Sequence, residues 1–328
     1  MLCGRIGGAP LLWIWALWGC TSSEPVFHLG YFPNVSHAPA IVGVETGKFQ
    51  DGLGKVALKT STFNAGPSAV EALLSGALDA SFLGPNPTIN AYAKSDGKAV
   101  RVIAGSTSGG AYLVVSPDVV TPADLQGKTV ASPQLGNTQD VALRHWLQKN
   151  SLQTTETGGD VRILPQENAM TLEAFRSGEI AGAWVPEPWA SRLILEGGGH
   201  VLQDERLLWP DGKYVTTHLV IRTEVLRDRP AEVEGFLRGY LDTLEWMAAN
   251  SDQAKESTNQ GIGKITGKPL PTATLDAAWP HLEFTSDPLP ESLRTSAQHA
   301  EDVGLLQLDG VDLDGLYDLT LLTRIQAE

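Results

Sequence analysis

The chain repeats part of itself. Ser75-Gly76-Ala77-Leu78-Asp79-Ala80-Ser81-Phe82-Leu83-Gly84 aligns with Ser177-Gly178-Glu179-Ile180-Ala181-Gly182-Ala183-Trp184-Val185-Pro186 at a constant shift of 102 residues. In each copy a helical pattern ends, Ser-Gly turns the chain, a short run of small and apolar residues reads as a strand, and a Pro-bearing loop caps it. Ser-Gly turns before strands are common. It is the agreement of the preceding helix and the following loop that marks a duplication, and a duplicated βα unit calls for two related lobes.

The rest of the chain alternates strands and helices in the same manner, the signature of an α/β fold. Val26–Tyr31, Val56–Thr62, Ala80–Leu83, Arg101–Gly105 and Ala111–Ser116 read as strands, with a helix from Pro67 to Ser75 that carries Val70, Leu73 and Leu74 on one face. Lys128–Ser132, Val161–Leu164 and the helical Thr171–Arg176 repeat the scheme, and Val215–Arg222 reads as a strand returning to the first lobe. A length of 328 residues with 42% hydrophobic content suits two such bodies. The expected lobes are 26–113 plus 217–328, and 114–216, joined by crossings near Ala111–Ser116 and Tyr214–Leu219. A cleft between them would collect the loops at the carboxyl ends of the strands, where open α/β sheets bind ligands.

Composition removes several functions. With 38 acidic against 24 basic residues the formal charge is −14, a field that repels nucleic acid and anionic lipid. Both cysteines, Cys3 and Cys20, lie in the first twenty residues, so disulfides, zinc–thiolate clusters and thiol nucleophiles are absent from the body. The seven histidines form no HExxH or similar motif, and the body reads as free of metal and cofactor. Gly261-Ile262-Gly263-Lys264-Ile265-Thr266-Gly267-Lys268-Pro269 has the wrong glycine spacing for a phosphate loop, and Gly105-Ser106-Thr107-Ser108-Gly109 is no nucleophile elbow. No catalytic residue is assigned, and the chain is read as a binding protein rather than an enzyme.

Residues 1–20 combine Arg5, the apolar run Leu11–Trp18 and Gly19-Cys20, too short to span a bilayer and suited to a secretion signal. Leu17-Trp18-Gly19-Cys20 resembles a bacterial lipobox. The expectation is a lipoprotein-type signal over 1–20, a lipidated Cys20, a polar tether over 21–25, and a body held to the membrane only through that anchor.

Four loops offer site residues. Gly84-Pro85-Asn86-Pro87-Thr88 follows a strand and opens a helix, and Gly136-Asn137-Thr138 does the same in the second lobe. Each helix start presents free N–H groups to an anion, beside neutral side-chain donors. Capping by Asn and Thr is the ordinary use of such residues; two such loops, one per lobe, point instead to a shared oxyanion site. Tyr31–His37 would form a third wall, with Asn34, Ser36 and His37 at its tip. In the fourth loop Trp184 and Trp189 are either core or ligand-facing, and Glu187 either meets a cationic group or caps the loop. Thr216-Thr217-His218 could reach the cleft from the return crossing.

Gly30-Tyr31-Phe32-Pro33-Asn34, Ser36-His37-Ala38-Pro39-Ala40, Gly84-Pro85-Asn86-Pro87-Thr88-Ile89-Asn90-Ala91-Tyr92, Ala131–Leu143 and Trp184-Val185-Pro186-Glu187-Pro188-Trp189 together resemble the substrate-binding proteins of sulfonate/nitrate/taurine ABC importers, over about residues 26–250. The resemblance implies a two-lobed type II periplasmic-binding-protein fold with two interlobe crossings. It also implies an extracytoplasmic receptor that binds a small anionic organosulfonate and delivers it to an ABC permease with a separate ATPase; nothing in the sequence suggests an obligate oligomer, and a monomer is expected. Carried over by motif, the ligand contacts are Asn34, Ser36, His37, Gly84, Asn86, Gly136, Asn137, Thr138, Trp184 and Glu187. The same fold could instead take nitrate, bicarbonate, a pyrimidine vitamin precursor or an aromatic acid. The vitamin-precursor enzymes carry a cysteine-rich motif, which this body lacks. A secreted hydrolase is the reading from another class.

Overall fold

A computed structural model describes Gly4 and residues 25–328; the rest of the expected signal, Cys20 and the tether up to Glu24 lie outside the described residues. In the first lobe β1 (Val26–Tyr31) leads through α1 (Ala38–Glu45) and α2 (Lys48–Leu53) to β2 (Ala57–Thr62), α3 (Gly66–Leu74), β3 (Ala80–Leu83), α4 (Pro85–Lys94) and β4 (Val100–Gly109). The second lobe holds β5 (Ala111–Val115), β6 (Thr129–Ser132), α5 (Thr138–Lys149), β7 (Arg162–Pro165), α6 (Asn168–Arg176), β8 (Gly182–Pro186), α7 (Trp189–Leu195) and β9 (His200–Asp204). The chain then returns through β10 (Val215–Arg222) to α8 (Thr223–Asp228), α9 (Pro230–Ala249), α10 (Ser251–Thr266), α11 (Thr272–Ala278), β11 (Leu282–Phe284), α12 (Pro290–Asp302) and α13 (Thr320–Gln326).

The two sheets share one plan. The first runs β2-β1-β3-β10-β4-β11 and the second β7-β6-β8-β5-β9. β1 in the first sheet and β6 in the second each sit between two parallel partners, and β10 in the first and β5 in the second insert antiparallel. The chain leaving the first lobe donates β5 to the second sheet, and the returning chain donates β10 to the first. α3 and α6 begin and end 102 residues apart, as do the starts of β3 and β8, so the repeat in the sequence is a repeat of structure.

The chain changes sheet between Gly109 and Ala111. Both glycines there have positive φ (+83° and +72°), and a Cβ on Gly110 would collide with Leu282 Cδ2. Ala111 already pairs with Pro186 in the second sheet, and Val215 with Ser108 in the first. The lobe limits expected at 113/114 and 216/217 therefore fall inside β5 and β10. An apolar run announces a strand but not which sheet it joins; the glycine break in the ladder decides that.

Each lobe closes over its own apolar core. In the first, Phe27 stacks on Phe236 at 4.8 Å and Phe49 meets Phe236 edge-on at 4.9 Å, which buries the stripe of α9 against the sheet. In the second, Trp146 of α5 and Trp184 of β8 meet edge to face at 6.0 Å among Leu113, Val115 and Leu147. β9 and α7 were not foreseen from sequence: His200–Asp204 is a partly exposed edge strand with little apolar signal.

Candidate ligand site

Among the described residues, a cavity lies where the carboxyl ends of the two sheets face one another. Some 410 Å³ between the loops is free of protein atoms. Three loops from each lobe build it, one after each equivalent strand. From the first lobe come Phe32, Asn34, Ser36 and His37 after β1, Asn64 and Gly66 after β2, and Gly84 and Pro87 after β3; the second lobe gives Pro133, Asn137, Thr138 and Gln139 after β6, Asn168 after β7 and Pro186 at the end of β8. Thr216 and Thr217 of β10 complete it. The N-termini of α3, α4, α5 and α6, each nine or more residues long, thus bring their positive dipole ends to one place.

The side chains are set by local bonds. Asn137 caps α5 with its Oδ1, which accepts from Asp140 N at 2.8 Å. The Asp140 carboxylate accepts from Ser132 Oγ (2.7 Å) and from the backbone N–H of Gly136 (2.9 Å), pinning the turn. The Ser36 carbonyl accepts from Thr107 Oγ1 at 2.8 Å, which fixes the β1 loop. His37 accepts a long bond from Phe32 N–H (3.4 Å) on Nδ1, leaving Nε2 to carry the ring proton. Burial drives its pKa down to about 3, so it is neutral. No Lys, Arg, Asp or Glu lines the cavity. Two polar atoms on its wall, Thr138 Oγ1 and Asn168 Oδ1, are buried and have no partner, and an unsatisfied buried group costs roughly 1–3 kcal/mol.

The lobes touch around this space. Trp189 Nε1 donates to Asn34 Oδ1 at 3.0 Å, and Asn64 Nδ2 donates to Glu167 Oε1 at 2.7 Å. A Cβ placed on Gly84 would lie 2.5 Å from Thr138 Oγ1, so glycine is what lets the two helix starts approach.

Asn34, Ser36, His37, Gly84, Asn137 and Thr138 all line the cavity. The other four sequence candidates do not. Asn86 is buried in the first turn of α4, where Nδ2 donates to Ser296 O at 3.1 Å and ties α4 to α12. Gly136 shapes the turn before α5 with a φ of +74°. Trp184 is core, its Nε1 donating to Glu205 at 2.7 Å. Glu187 folds back on its own helix and accepts from Ser191 N and Oγ at 3.1 and 3.0 Å; burial raises its pKa to about 7. Of its two readings, the loop cap is the one the structure has.

Asn64 and Asn168 were not singled out from sequence. The signal was available: both precede or open the helices related by the 102-residue shift, but the expected start of the second helix at Thr171 stopped three residues short. Among the described residues no three His, Cys, Asp or Glu side chains group to hold a metal, and no helix is long and apolar enough to cross a membrane.

Two duplicated lobes with helix starts converging on a neutral cavity have counterparts elsewhere. The model of the NMT1-like family matches residues 21–261. The chain belongs to the NMT1-like family. This member is 29% identical over 213 residues to the taurine-binding periplasmic protein of Escherichia coli (strain K12), an alignment covering 63% of each chain. It thus aligns with about three-fifths of the length of its curated relatives. Its fold is that of the alkanesulfonate-binding protein of Xanthomonas axonopodis pv. citri bound to MOPS (TM-score 0.73, 20% identity, 90% of this chain and 99% of that one). It is also that of the periplasmic nitrate-binding protein of Synechocystis PCC 6803 (TM-score 0.77, 16% identity, 93% and 89%). The fold is therefore the two-lobed periplasmic-binding-protein architecture.

Proposed function

We propose that this NMT1-like protein is the extracytoplasmic, non-enzymatic solute receptor of an ABC importer, and that it binds a small organosulfonate between its lobes. The observation that carries this is the set of helix N-termini from both lobes converging on a cavity without charged side chains, in which Thr138 Oγ1 and Asn168 Oδ1 lack partners. A sulfonate spreads one negative charge over three oxygens, so neutral N–H and O–H donors in a closed site satisfy it; phosphate brings a second charge that nothing in the cavity offsets. The Thr138 hydroxyl can donate to a sulfonate oxygen. Asn168 Oδ1 is an acceptor and suits the ammonium of a taurine-like ligand. The similarity to a taurine-binding protein supports the same reading. Delivery to a permease with its own ATPase, a monomeric state and a lipid anchor at Cys20 complete the proposal; replacing Cys20 by Ser should release the protein from membranes, and unchanged attachment would dismiss the anchor.

The test is a thermal-shift series on the body from Thr21 with taurine, alkanesulfonates, nitrate, bicarbonate and phosphate. A hundredfold excess over Kd stabilises by about 2.7 kcal/mol, or roughly 5 °C for a protein of this size. Shifts with sulfonates and none with phosphate are expected. A shift with nitrate or bicarbonate alone would keep the receptor and replace its cargo. A series without any shift would overturn the reading.

A further inference from the structure

We propose that a stacked pair of imidazoles, His145 from the second lobe and His299 from the first, makes closure over the ligand sensitive to mild acid. The proposal rests on the reading of the cleft as a site that closes on its ligand. The two rings lie face to face, centroids 3.6 Å apart and planes 17° from parallel. His145 sits on α5 and His299 on α12, and these helices pack together across the lobes.

The charged groups facing the pair are few. Asp302, on α12, has Oδ2 3.7 Å from His145 Nε2; Lys149, one turn along α5, adds a positive charge. Trp209, from the return crossing, covers His299 with an uncharged ring at 5.5 Å. Charge counting then decides the behaviour. With both imidazoles neutral the cluster holds one positive and one negative group. With both protonated it holds three positive groups against Asp302 alone, and two of them are stacked in van der Waals contact.

The position gives the cluster leverage on the ligand. α5 is a single helix of twelve residues whose first turn supplies Asn137, Thr138 and Gln139 to the cavity wall and whose middle carries His145. Any loosening of α5 from α12 withdraws those donors from the first lobe. Burial, followed by the neighbouring His145, holds His299 down to about 4; burial, followed by Lys149, lowers His145. The closed form thus binds fewer protons than one in which the rings are solvated. Its stability relative to the open form is complete above about 6.5, the ordinary imidazole value, and is lost as pH falls towards 4.

Affinity for propanesulfonate and taurine, whose sulfonates do not titrate here, should fall about tenfold from pH 7.5 to 5.5. In the same interval the ligand-free protein should expand in small-angle scattering. The His145→Gln/His299→Gln double variant, or either single variant if the double one melts early by circular dichroism at pH 7.5, should bind as wild type at pH 7.5 and lose the dependence. A flat wild-type profile, or a variant that keeps the full dependence, overturns the inference. If no sulfonate binds at pH 7.5 the functional reading fails by itself, and the scattering pair still decides the switch: expansion in wild type and not in the variant supports it, and any other pattern ends it.

Discussion

At the scale of single residues, what a side chain touches across the cleft matters more than its type. Gly84 has φ −70° and ψ 162°, a conformation open to any residue, so Gly84→Ala strains nothing locally. Its added methyl meets Thr138 Oγ1 only when the lobes close. Ligand affinity should drop at least about tenfold, roughly 1.4 kcal/mol, with the melting temperature of the ligand-free protein little changed; calorimetric titration beside a thermal melt checks both. Glu205 shows the opposite case, a carboxyl whose effect is on the fold. Burial raises its pKa from 4.5 to about 7, against the bond from Trp184 that lowers it. The folded protein therefore holds a proton that the unfolded chain gives up, and this contribution is complete below about pH 4.5 and lost as pH rises through 7. Glu205→Gln should stabilise relative to wild type by up to about 3 kcal/mol above pH 7 and by little below pH 5, read from denaturant melts across that range. A difference that does not vary with pH would dismiss the buried-carboxyl account. The resemblance carries Asn86 and Glu187 over as ligand contacts, yet neither lines the cavity; a polar residue after a strand looks the same in sequence whether it faces a ligand or a neighbouring helix.

At the scale of elements, the helix starts are the working parts, and most were legible. Proline or Asn at a helix start after a strand announced α4 and α5, and periodic apolar residues announced α3. The start of α6 was not, because Asn168-Ala169-Met170 carries no apolar period of its own; only its equivalence to α3 would have placed it. Asn137 is the cap on which the second lobe's contribution depends, with Asp140, Ser132 and the Gly136 N–H bound in one buried network. Asn137→Ala removes the cap. A stability loss of about 1 kcal/mol is expected, together with weaker sulfonate binding as the α5 start frays. Loss of stability with unaltered affinity would show that this helix start does not face the ligand.

At the scale of the whole molecule, the lobes are held by two crossings and a ring of contacts around the cavity. The Asn64–Glu167 bond spans the cavity rim between the lobes, and both residues are exposed, so the bond is worth little to the fold. Asn64→Ala should speed ligand release several-fold in stopped-flow measurements while leaving the melting temperature of the ligand-free protein within about a degree; equal release rates would remove the pair from the closing contacts. The duplication, the strand and helix alternation and the neutral donor loops follow from sequence, because local turn chemistry and apolar period are properties of neighbouring residues. Tertiary structure alone decided that β5 belongs wholly to the second sheet, that Trp184 belongs to the core, and that Asn64 and Asn168 line the cavity. Those outcomes depend on which surfaces meet between segments far apart in the chain, and strand pairing and helix approach, not local propensity, set them.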